Sequence, residues 1–111
     1  MFIDNFINEK IPQLVYFCEA LIKHAVHYTE MEKFIWDCFE EWGQLNVTDE
    51  TPSSARERVF WHLIHELKLA SLAELDDDLS LNVEIQSCTD FLNGNGSYPI
   101  HCIGWRPVDS F

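Results

Sequence analysis

The chain has 111 residues, 47% of them apolar, and carries nineteen Asp and Glu against seven Lys and Arg, a formal net charge of −12. That length supports one domain around a single core, residues 1–111, and the eight Phe and four Trp argue against disorder despite the charge. The charge opposes binding to naked nucleic acid or an anionic membrane, whose phosphates attract cations, and favours a basic partner.

No apolar run approaches the roughly 20 residues of a membrane span. The opening MFIDNFINEK has Asp4 and no early Lys or Arg, unlike a secretory signal. The expectation is a soluble, cytoplasmic protein. Cys18, Cys38, Cys88 and Cys102 form no C-x-x-C pair, which reads as reduced thiols, with Cys18 and Cys38 on core faces.

Residues 3–8, IDNFIN, read as a short helical turn docking Phe2, Ile3, Phe6 and Ile7. Pro12 suits the first turn of a new helix, where its missing N–H costs nothing. From there to about His27, Leu14, Cys18, Leu21, Ile22 and Ala25 form one face, and a tight connection makes the next helix an antiparallel neighbour. That second helix lies in TEMEKFIWDCFEEWGQLNVTDE, Thr29 to Glu50. Met31, Ile35, Cys38, Phe39 and Trp42 recur at steps of three and four and share one face. Glu30, Lys33, Asp37, Glu40, Glu41 and Gln44 take the opposite face. Thr29 and Glu32 have capping-box spacing, and Gly43 falls near the helix end.

Thr51 as N-cap and Pro52 as first residue open a third helix reaching about Leu72, with Val59, Phe60, Leu63, Ile64 and Leu67 inward. Arg58, Trp61, His65 and Lys68 form a mixed outer face, with Trp61 expected beneath the C-terminal segment. Glu74, Asp76, Asp77 and Asp78 suit the start of a fourth helix, where the macrodipole favours anions. It carries Leu79, Val83, Ile85, Cys88, Phe91 and Leu92 to a stop at Gly94. The apolar residues Tyr98, Ile100, Ile103 and Trp105 make the rest an ordered strap across the bundle. The expected fold is therefore all-α, a single-domain bundle of about four helices with an irregular C-terminal strap.

No catalytic motif accompanies this pattern. There is no G-x-S-x-G, no HExxH and no P-loop, and Cys102 beside His101 lacks the geometry of a nucleophile and its base. His24 and His27, and His62 and His65, have helical spacing that converges on a metal if the bundle brings them together with Glu66. No Glu precedes a His by three, unlike carboxylate di-iron bundles, so no cofactor and no metal is assigned. The paired-histidine enzyme stands as an alternative, as does a non-catalytic subunit of a larger assembly.

The strongest functional signal is uncompensated acid. Asp37, Glu40 and Glu41 lie together with Lys33 nearby, whereas a helix face built for stability alternates signs. Glu30, Asp37, Glu40, Glu41, Asp49, Glu50, Asp76 and Asp77 are the candidate partner-binding acids, with Trp36 or Trp42 as an aromatic anchor. With its size, its charge and the DCFEEW and ELDDD stretches, the chain resembles bacterial immunity proteins, including those paired with contact-dependent growth inhibition toxins. The resemblance implies a non-catalytic inhibitor whose acidic surface plugs the basic active site of a toxin nuclease.

Overall fold

The computed structural model describes residues 2–45, 53–69 and 79–99, together with Cys102, Gly104 and Arg106. Four helices account for most of them: α1 (Phe2–Ile22), α2 (Tyr28–Gln44), α3 (Ala55–Leu69) and α4 (Leu79–Leu92). No strand occurs among the described residues, so the all-α expectation holds. Helices α2 and α4 each pack against both α1 and α3, which also touch each other. The pair α1–α3 is thus the short diagonal of the bundle. The radius of gyration, 13.5 Å, is close to the value of about 13 Å expected for one folded domain of this size.

The first helix corrects the expected break before Pro12. It runs through the proline, because Ile3, Ile7, Ile11, Leu14, Cys18 and Leu21 form one buried stripe that stays in register across it. Pro12 is exposed on the opposite side. The one backbone bond it forfeits, to the exposed Asn8, is outweighed by an uninterrupted apolar face.

The helix ends five residues earlier than expected. His24 adopts φ 58°, the Ala25 N–H donates to the Ala20 carbonyl at 2.7 Å, and the His24 N–H donates to Leu21 at 3.0 Å. These are the two bonds of a Schellman cap, with histidine at the left-handed position that glycine usually fills. The stop of α4 is built the same way around Gly94, φ 82°, with Asn95 bonded to Asp90 at 2.8 Å and Gly94 to Phe91 at 3.0 Å.

Helix α2 begins at Tyr28, and the capping pair shifts from Thr29–Glu32 to His27–Glu30. The Glu30 carboxylate accepts the His27 backbone N–H at 3.3 Å. Met31, Phe34, Ile35, Cys38, Phe39 and Trp42 are buried, as the spacing predicts, with Phe34 added to the set. Gly43 lies in the last turn of the helix.

Helix α3 starts later than expected, and its N-cap is Ser54, whose hydroxyl accepts the Glu57 N–H at 3.1 Å. Thr51 and Pro52 lie outside the described residues. Every residue from Val59 to Ile64 is buried, including Trp61 at 0% exposure. Over this stretch α3 has no solvent face, so the expected outer face of Arg58, Trp61, His65 and Lys68 loses Trp61, while Lys68 is exposed. Trp61 instead centres an aromatic cluster, with Phe60, Trp42, Phe6 and Phe39 at ring separations of 4.9, 5.1, 6.3 and 6.4 Å. On α4 the buried positions are Ile85, Cys88, Thr89 and Leu92, whereas Val83, expected inward, is exposed.

The segment after α4 is tied to α3. Arg58 donates to the Tyr98 hydroxyl at 3.1 Å and to the Ser53 carbonyl at 2.7 Å, and Arg56 donates to the Leu92 carbonyl at 3.2 Å. Farther along, Gly104 lies so close to α3 that a Cβ there would sit 1.8 Å from the Arg58 carbonyl oxygen. Backbone cannot yield as a side chain would, so Gly104→Ala is expected to destabilise the fold by about 1–3 kcal/mol. Gly43, with nothing within 4 Å of its virtual Cβ, is the control. Gly43→Ala is expected to be neutral or stabilising, since alanine suits a helix better. Urea denaturation of the two variants checks the contrast; equal stability would show that the strap does not press on α3.

Candidate functional site

The acids of α2 border an open groove against α1. One depression, about 260 Å³, is lined by Lys10, Gln13, Phe34, Asp37, Glu40, Glu41 and Gln44. The next, about 310 Å³, is lined by Gln13, Phe17, Glu30, Lys33, Phe34 and Asp37. Shared walls at Gln13, Phe34 and Asp37 make them one continuous channel. Four of the candidate acids, Glu30, Asp37, Glu40 and Glu41, therefore converge on one surface feature, with the rings of Phe17 and Phe34 contributing an apolar wall.

Local pairing grades these acids. Glu41 forms an ion pair with Lys10, whose side chain is only 10% exposed. Burial acts to lower the Lys10 pKa, but the hydrogen bond and charge of Glu41 prevail and the net displacement is upward. The reading that only Lys33 lies near these acids is thereby corrected: a lysine from α1, thirty-one positions away, pairs with Glu41. Glu30 is committed to the α2 cap. Asp37 and Glu40 are both exposed on the groove wall.

The two aromatic candidates separate cleanly. Trp42 is 6% exposed and belongs to the core, which removes it as an anchor. Trp36 is 54% exposed, edge-on to Phe39 at 5.9 Å, with the Lys68 ammonium 5.3 Å from its ring centroid. It does not line the groove. Asp49, Glu50, Asp76 and Asp77 lie outside the described residues.

The paired histidines do not assemble as the alternative requires. His24 forms the cap of α1, His27 is the N-cap of α2, and the His65 ring lies 6.1 Å from the Phe39 ring. What converges among the described residues is a different set, His62 and Glu66 of α3 with Glu84 of α4, all ligand atoms within 4.8 Å of one another. Glu84 was invisible to the spacing argument because it arrives from another helix.

The cysteines are unpaired thiols. Burial pushes Cys38 up to about 12, despite the opposing charge of Lys10, and burial likewise raises Cys18. Cys88 is also pushed up to about 12, first by burial and then by the neighbouring Cys102, Glu84 and Glu66. Protonated thiols are poor nucleophiles. Cys102 donates to the Arg58 carbonyl at 3.6 Å, and His101 lies outside the described residues.

Fold and surface together define a small all-α domain that carries, among the described residues, an open interhelical groove lined by acids. No protein-family model, curated protein or solved structure matches the chain. None of its helices is long and apolar enough to cross a membrane among the described residues.

Proposed function

We propose that this is a non-catalytic binding protein of the bacterial cytoplasm that neutralises a basic partner, an immunity protein that occludes the active site of a cognate toxin nuclease. The observation that carries the reading is the α1–α2 groove, where four carboxylates face two lysines along one channel. A protruding basic side chain entering it meets Asp37 and Glu40 as acceptors, and its methylene stem meets Phe34 and Phe17. The net charge of −12 adds long-range attraction that steers a cationic partner toward the chain. Trp36 flanks the same helix and supplies an exposed aromatic surface next to these charges.

The test uses Asp37→Lys with Glu40→Lys, a pair that leaves the Lys10–Glu41 contact intact. Against a basic nuclease domain, taken from a neighbouring gene where one encodes it, the double variant is expected to bind about tenfold or more weakly at low salt, with a flattened salt dependence. Isothermal titration at two ionic strengths reads both quantities. Parental affinity in the variant would remove the groove as the interface.

A further inference from the structure

We infer that His62, Glu66 and Glu84 form a binding site for a first-row divalent cation, Zn²⁺ above all, that clamps α3 to α4. His62 and Glu66 are four residues apart on α3, so their side chains stand one above the other on the same face. Glu84 projects from α4, and its Oε1 lies 2.6 Å from His62 Nε2. The three donor atoms already lie within 4.8 Å of one another. Zinc bonds of about 2.0–2.2 Å place neighbouring ligands some 3–4 Å apart, so rotation of the Glu66 carboxyl closes the set.

Charge and access point the same way. Two carboxylates share this half-buried site with one imidazole, and a divalent cation offsets the charge of both. Zinc takes the place of the direct His62–Glu84 contact and draws in Glu66 as its third protein ligand. The His62 side chain is 10% exposed and that of Glu84 36%, so the cluster is rooted in the interior and open on the α4 side. Solvent can supply the ion and complete its coordination there. The donor set of one imidazole nitrogen and two carboxylate oxygens suits Zn²⁺ better than Mg²⁺ or Ca²⁺, which prefer oxygen throughout. This site involves α3 and α4, whereas the groove involves α1 and α2, so each stands without the other.

Titration of Zn²⁺ into the metal-free full chain is expected to show one equivalent bound and a rise in the unfolding temperature that grows with free zinc. Glu66→Gln and Glu84→Gln are each expected to weaken binding about tenfold or more. Glu66→Gln is the decisive variant, because it leaves the His62–Glu84 hydrogen bond in place and circular dichroism confirms the fold. Co²⁺ is expected to bind without a sulfur-to-metal charge-transfer band, which excludes Cys88 as the ligand. Absence of zinc binding, unchanged affinity in Glu66→Gln, or a thiolate band with Co²⁺ would each overturn the assignment.

Discussion

Replacing Arg106 with alanine is expected to destabilise the fold by about 3–5 kcal/mol, although Arg106 lies outside the four helices, fourteen residues beyond the end of α4. The reason is its partner. Glu57 stands in the first turn of α3 with only 2% of its surface exposed. Arg106 Nε donates to Glu57 Oε2 at 2.6 Å and Nη2 to Oε1 at 2.9 Å, while Trp61 Nε1 donates to Oε2 at 3.1 Å. The carboxylate is thus held by a two-pronged guanidinium and an indole, and the guanidinium also lies 5.9 Å from the Trp42 ring centroid. Removing the arginine leaves an anion deep in the fold with one neutral donor. That cost is much larger than the pair's own worth, because a buried charge without its counter-ion loses hydration and gains little in return.

A companion substitution separates the two contributions. Glu57→Met with Arg106→Met removes both charges while keeping much of the volume, and is expected to recover most of the loss. Urea unfolding with an unchanged slope measures both variants. A loss below about 1 kcal/mol for Arg106→Ala, the range of exposed ion pairs, would show that water reaches Glu57 and that the strap does not seal it.

This contact also shows what the sequence could and could not disclose. The buried face of α2 was legible because one side of that helix meets protein and the other meets water, so Met31, Ile35, Cys38, Phe39 and Trp42 carry the helical period openly. Helix α3 is enclosed by its neighbours from Val59 to Ile64. Its inward set of Val59, Phe60, Leu63, Ile64 and Leu67 was legible in the spacing, whereas Trp61, expected beneath the C-terminal segment, centres the aromatic core instead. The break expected at Pro12 followed from local propensity, which the continuous stripe of α1 overrides. The cap at His24 depends on a left-handed backbone conformation that histidine tolerates but does not advertise.

For the candidate site the division is the same. Glu30, Asp37, Glu40 and Glu41 were recognised as one acidic group because they share a helix. The lysine paired with Glu41, the groove formed with α1, and the meeting of His62 with Glu84 all depend on contacts between helices. Helical spacing reports which residues share a face, but not which face they meet. The histidine pairs show the consequence: periodicity grouped His62 with His65, and packing grouped it with Glu66 and Glu84.

The aromatic cluster that surprised the helical period should also dominate stability. Trp61→Ala is expected to cost about 3–5 kcal/mol, comparable with or beyond the loss of Arg106. Its ring touches residues from α1, α2 and α3, so truncation opens a cavity where three helices meet and no single side chain can fill it. The stacked partners Phe6 and Phe39 belong to different helices and are held by their own packing, which limits collapse into the void. Trp61→Phe distinguishes the parts of the effect. It keeps an aromatic ring in the cluster but deletes the indole N–H that bonds Glu57, and Arg106 continues to hold both carboxylate oxygens. The expected cost is about 1–2 kcal/mol, combining one lost hydrogen bond with a modest loss of volume. Chemical denaturation of the two variants, read by far-ultraviolet circular dichroism because one tryptophan is gone, gives both numbers. Equal losses for phenylalanine and alanine would mean that the bond to Glu57, and not the packing of the ring, holds this centre together.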